Sequence, residues 1–197
     1  MFKKISVGAD FFVLLFLLIL FCSDELLLLF AAAVIAHEAG HIIALQRCGA
    51  AAECVKLRFY GISISYREEK LTFCKNILCA AAGPAASLIL ALCAGVYGRY
   101  FANDGAYLLA GISFVLFAFN MLPVYALDGG RMLFFIFERY LGGKAELILL
   151  YTGLAVSLLF ILGGLAMCKN GYGNPIIPGA GLIIAVSCCK KNILDVI

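Results

Sequence analysis

The chain contains two histidines, His37 and His41, four residues apart with a glutamate between them in His37-Glu38-Ala39-Gly40-His41. On a helix, residues four apart share a face. Two imidazoles at that spacing can grip one zinc ion, and Glu38 can take a proton from a water that the ion polarises. Such a group attacks carbonyl carbon at neutral pH. The plainer alternative is a pair of core histidines bonded to neighbouring helices. The setting favours the metal, because the motif lies in an apolar run. A carboxylate at the centre of a bilayer costs about 2.5–3.5 kcal/mol, and ionisable groups there are functional by default.

Catalytic zinc takes three protein ligands and keeps one position open. With both histidines in use, a three-histidine site is excluded. Most acidic residues fall at the ends of apolar segments or in polar turns, where solvation explains them. Asp128 differs, standing in Leu127-Asp128-Gly129-Gly130-Arg131. Two glycines allow close backbone approach and unusual dihedral angles. Asp128 can present its carboxylate to a neighbouring helix, or it can cap a helix over 131–140, and the two roles are compatible. A soluble-type glutamate ligand would need Glu68 or Glu69 on a helix facing the histidines, and their strand-turn setting opposes that.

The elements that position these residues are apolar. The 197 residues are 64% hydrophobic and 14% charged, far from the balance of a soluble domain. That excess is too large for one small core, so lipid is the expected surroundings. Apolar stretches run over 5–22, 26–46, 76–97, 106–122, 145–167 and 176–189, against the ~20 residues a spanning helix needs. The expected fold is an all-α membrane protein: a polytopic bundle of about six transmembrane helices, the sixth the least regular with Pro178 and two glycines. Ser23 is placed to cap the second helix. Lys3 and Lys4 precede the first stretch in the manner of a signal peptide, but no small-residue cleavage site follows, so a retained helix is expected.

With the N-terminus in the cytoplasm, 13 of the 15 Lys and Arg residues fall on that side and only Arg99 and Lys169 on the other. The positive-inside rule then puts both termini of a multi-pass cell-membrane protein in the cytoplasm. His37, His41 and Asp128 all belong to the cytoplasmic half. Between 55 and 73 the sequence alternates, with Val55, Leu57 and Phe59 between polar neighbours, then Ile62, Ile64 and Tyr66. This pattern reads as strands of a small sheet at the membrane surface. Arg67–Lys70 reads as a turn and 71–73 as a return strand. Nine cysteines without a C-x-x-C spacing read as reduced, apolar core residues. No basic run interleaved with aromatics suggests nucleic-acid binding. The expected organisation is one membrane-embedded domain over 1–197, with no added soluble regulatory domain.

Together, HEAGH in an apolar helix and Asn120-Met121-Leu122-Pro123-Val124-Tyr125-Ala126-Leu127-Asp128-Gly129 resemble the site-2 protease family of intramembrane zinc metalloproteases, peptidase family M50. That family pairs HExxH with N-x-x-P-x-x-x-L-D-G. The resemblance implies His37, His41 and Asp128 as Zn²⁺ ligands, Glu38 as general acid/base, and Asn120 as a residue holding substrate or the developing oxyanion. A packing hydrogen bond is an equal role for Asn120, and Pro123 reads as a helix stop. The family's G-P-x-x-N element reads Gly83-Pro84-Ala85-Ala86-Ser87 here, with serine in place of asparagine; close packing of small residues suffices to explain the stretch. The resemblance also implies that the 55–73 strands hold extended substrate by backbone pairing. A simple surface hairpin is the alternative. The compact form is similar to sporulation-type members that process a sigma-factor precursor. A membrane-associated protein substrate, the lipid bilayer and regulatory membrane proteins are the implied partners. A non-enzymatic membrane metal binder or transporter is the rival, which would need more polar residues across the spans.

Overall fold

The protein is described as a computed structural model covering residues 4–7, 23–49, 54–58, 61–65, 71–169 and 176–194. In chain order the elements are β1 (Lys4–Val7), α1 (Asp24–Arg47), β2 (Cys54–Arg58), β3 (Gly61–Ser65), α2 (Phe73–Phe101), α3 (Asp104–Asn120), α4 (Asp128–Leu141), α5 (Lys144–Lys169) and α6 (Ile176–Leu194). The chain divides into two compact units, Met1–Ala118 and Phe119–Ile197.

In the first unit, Ser23 caps α1 as expected, its hydroxyl accepting from the Leu26 N–H at 3.3 Å. Asp24 and Glu25 occupy the first turn and Arg47 the last, the charge order that complements the helix dipole. Gly49 follows with φ +80°, a left-handed conformation that glycine adopts without strain. The helix packs against α2 through small residues: α2 buries Ala80, Gly83, Ser87, Ala91, Ala94 and Gly98 at spacings of three and four, which lets backbones approach closely. Its outward residues, Leu78, Ile89, Leu92 and Val96, are exposed, as a lipid-facing surface requires. Between α2 and α3 stand only Ala102 and Asn103. Ala102 is left-handed (φ 48°), and the Asn103 side chain accepts from the Ala106 N–H at 2.8 Å to start α3.

The expected first span is corrected at its start. Lys4–Val7 is a strand, paired in parallel with Cys54–Leu57 of β2. Lys-Ile-Ser-Val alternates polar and β-branched residues, a period-two signal that the apolar run after it masks. The rest of that expected span lies outside the described residues, as do the 67–70 turn, Glu68 and Glu69. β2 and β3 pair antiparallel, Cys54 opposite Ser65 and Arg58 opposite Gly61, giving the sheet order β1-β2-β3. Residues 71–73 are not a return strand. Thr72 stands at the N-cap position and Phe73 begins α2, three residues ahead of the expected helix.

Among the described residues, three helices are long and apolar enough to cross a membrane: α1, α2 and α5. Residues of α3 and α6 form shorter apolar helices. α3 ends at Asn120, two residues before its apolar stretch does, because Pro123 disfavours helical geometry at Leu122.

In the second unit, α5 and α6 close tightly. The Ser157 hydroxyl donates to the Gly181 carbonyl at 2.7 Å. Gly153 faces the Cys188 sulfur, and Gly164 faces Pro178. The described cysteines, 48, 74, 79, 93, 168 and 188, are all free, and 48, 79 and 188 are buried. α4 is the amphipathic helix of the unit, with Arg131, Glu138 and Arg139 interrupting its apolar residues. Turns at Gly142 and Gly143 join it to α5.

Candidate metal centre

His37 and His41 lie on the face of α1 that meets α2, their ring centroids 5.0 Å apart and the rings near perpendicular. His37 is 5% exposed, while Glu38 and His41 are half-buried. Each ring is anchored through Nδ1. That of His41 lies 2.8 Å from the Cys79 carbonyl oxygen, and that of His37 lies 2.9 Å from the Ser87 hydroxyl. A carbonyl can only accept, so His41 Nδ1 carries the proton and, in the neutral ring, Nε2 keeps its lone pair. This is how metal-binding imidazoles are oriented: one nitrogen donates to a fixed oxygen and the other is left for the ion.

The local sequence explains the approach. A side chain at Gly40 would run into the Ala82 carbonyl and, at 2.8 Å, Ala86 Cβ. A Cβ at Gly83 would overlap the His41 ring, nearest to Nε2 and 2.6 Å from Cε1. The two glycines therefore let α1 and α2 close until the imidazoles reach α2. Pro84 lies inside α2. It supplies no N–H to the Ala80 carbonyl, and its ring loosens that turn. The carbonyl that serves His41 belongs to the residue just before, Cys79.

In the second unit Asp128 is the first residue of α4 and is buried (8% exposed). The N-cap position belongs to Leu127, without a side-chain cap bond. Asp128 is thus not the cap; its carboxylate lies in the first turn, where the helix dipole favours negative charge. The segment ahead of it folds back over the start of α4. A Cβ at Gly129 would strike the Met121 backbone, and one at Gly130 would overlap the Val124 carbonyl. The Thr152 hydroxyl donates to the Pro123 carbonyl at 3.1 Å, and Val124 is buried against Ile184 and Cys188. Asn120, half-buried at the end of α3, is the residue next to that Met121 contact. Ser87 is the polar contact that sequence reasoning left unassigned: within G-P-A-A-S the stretch read as packing alone, and the signal was the polar residue at the family's asparagine position.

The family model for peptidase family M50 matches residues 102–160, which includes Asn120 and Asp128 and lies beyond the HEAGH helix. Two curated relatives carry the name "Putative zinc metalloprotease". Rip3 of Mycobacterium tuberculosis is 32% identical over 145 residues, covering 68% of this chain and 37% of that protein. Its counterpart sll0528 of Synechocystis is 34% identical over 131 residues, covering 63% of this chain and 34% of that protein. The chain thus spans about a third of the length of these relatives. Among solved structures, the site-2 protease from Methanocaldococcus jannaschii has the same fold, with a TM-score of 0.74 at 23% identity, over 95% of this chain and 90% of that one. Over these stretches the chain is similar to peptidase family M50 and to two named zinc metalloproteases, and it shares the fold of a site-2 protease. Of the three expected ligands, His37 and His41 stand on α1 in the first unit and Asp128 at the start of α4 in the second.

Proposed function

We propose that the protein is an intramembrane zinc metalloprotease that hydrolyses a peptide bond in a membrane-associated protein. The observation that carries this reading is the anchoring of both HExxH imidazoles through Nδ1, which makes Nε2 the nitrogen that each would offer to a metal. The donor types fit zinc, which takes two imidazoles and a carboxylate. In this reading His37, His41 and Asp128 hold the ion. Bound there, Zn²⁺ would supply Lewis acidity, bringing the pKa of water to about 7 and polarising the scissile carbonyl. Glu38 takes the water proton and returns it to the leaving amine. Asn120 donates its side-chain amide to substrate or to the oxyanion.

Multi-pass insertion with both termini cytoplasmic follows from the Lys and Arg distribution, and puts the cut near the cytoplasmic face. The sheet supports delivery of an extended substrate: β3 pairs with β2 on one side, and an open edge can add a strand by backbone hydrogen bonds. In its narrowest form the substrate is a sigma-factor precursor, a reading that rests on the similarity to compact sporulation-type proteases. Regulatory membrane proteins would then govern access.

The test is Glu38→Gln. The purified variant is expected to keep its zinc, one ion per chain, while cleavage of a membrane-tethered substrate falls by about 10²–10⁴-fold, the range for losing a general base. Unchanged cleavage would remove Glu38 from the chemistry. Zinc binding without cleavage by the unmodified protein would leave a metal-binding membrane protein instead. Co-expression with sigma-factor precursors, scored for a shortened product, tests the narrowest form.

A further inference from the structure

We propose that Ser87 is a positioning residue that selects the tautomer of His37, doing in this chain by a hydroxyl what an asparagine amide would do at the same place. The two imidazoles are held by unlike groups. The partner of His41 is a backbone carbonyl, which accepts and never donates, so its tautomer is set by the path of α2. The partner of His37 is a side-chain hydroxyl, which can do either. Ser87 is fully buried (0% exposed), so bulk water does not take over the bond.

A neutral imidazole has two tautomers. With the proton on Nδ1, His37 offers a lone pair at Nε2; with the proton on Nε2, it offers the ion an N–H. Ser87 favours the first arrangement only if its oxygen accepts. The 2.9 Å Nδ1···Oγ contact admits either direction; Nδ1–H donating to Oγ is the direction that leaves Nε2 for the ion. The same helix face carries the other requirements of the pair: Gly83, on which the His41 ring lies, and Cys79, whose carbonyl holds that ring. Cys79, Gly83 and Ser87 follow at intervals of four, so one stripe of α2 orients both rings. In this stripe Ser87 is the anchor that a substitution can remove, since the other anchor is main chain.

This inference rests on the zinc reading, and the experiment separates the two. Wild type, Ser87→Ala and Ser87→Asn are purified in detergent with ¹⁵N-labelled histidine, and zinc affinity is measured by competition with a chromophoric chelator. In metal-free wild type, His37 is expected to show a protonated Nδ1. Ser87→Ala is expected to bind zinc about 10–100-fold more weakly, the usual cost of losing the group behind a metal-binding imidazole, with His37 sampling both tautomers. Ser87→Asn restores an acceptor and is expected to recover most of the affinity. Ser113→Ala, which removes a buried hydroxyl without a hydrogen-bond partner on α3, is the control and leaves zinc binding unchanged. Wild-type zinc affinity in Ser87→Ala overturns the proposal, as does zinc bound through His37 Nδ1 in the unmodified protein. If Ser87→Ala does not fold, the wild-type spectrum decides. Failure of the wild type to bind zinc is a different result and overturns the metal reading itself.

Discussion

A hydrogen atom in place of a methyl group decides whether His41 can lie where it does. Gly83 leaves the space that its ring occupies, and a Cβ there would overlap the ring at Nε2. Gly83→Ala is therefore expected to displace His41 and abolish stoichiometric zinc binding while the protein stays helical; metal analysis alongside circular dichroism checks both. The histidines and Glu38 were legible in the sequence because their chemistry is rare in lipid and their spacing is that of one helix turn. Ser87 and Gly83 were not, because small residues on an apolar helix usually mean packing. Only the antiparallel pairing of α1 with α2 shows which small residue meets which ring.

At the scale of elements, the stretch between α3 and α4 carries no regular structure yet is firmly held. Its Pro123 carbonyl is bonded to Thr152 on α5, and Val124 is enclosed by α6 residues. Thr152→Val removes the donor at nearly constant volume and is expected to lower stability by about 1 kcal/mol, the net worth of such a bond, read as a fall in the melting midpoint. Gly130→Ala is expected to cost more and to reduce zinc binding as well, since the side chain would meet the Val124 carbonyl and shift the start of the Asp128 helix. Helix positions were readable from apolar runs, but their ends depended on local chemistry. Pro123 shortened α3, and α4 began at Asp128 rather than three residues later. The strand Lys4–Val7 was missed because its partner, β2, lies more than forty residues away in sequence, and a four-residue alternation is weak evidence alone.

On the scale of the whole molecule, charge and apolar length set the insertion. Among the described residues three helices have the reach to cross a bilayer, and the basic residues crowd the ends expected in the cytoplasm. A phosphatase reporter that is active only outside the cell is expected to be active when joined after Ala102 and inactive when joined after Gly49 or Gly143. The opposite pattern would reverse the orientation. The side expected for each loop rests on lysine and arginine, which are counted without knowing any contact.

The parallel ladder between Lys4–Val7 and Cys54–Leu57 adds a rule of parity. Strands of one sheet share one face of the bilayer, so a chain that leaves the sheet at Val7 and rejoins it at Cys54 traverses the lipid an even number of times on the way. Four residues of backbone pairing thereby constrain how the protein can be threaded through a membrane.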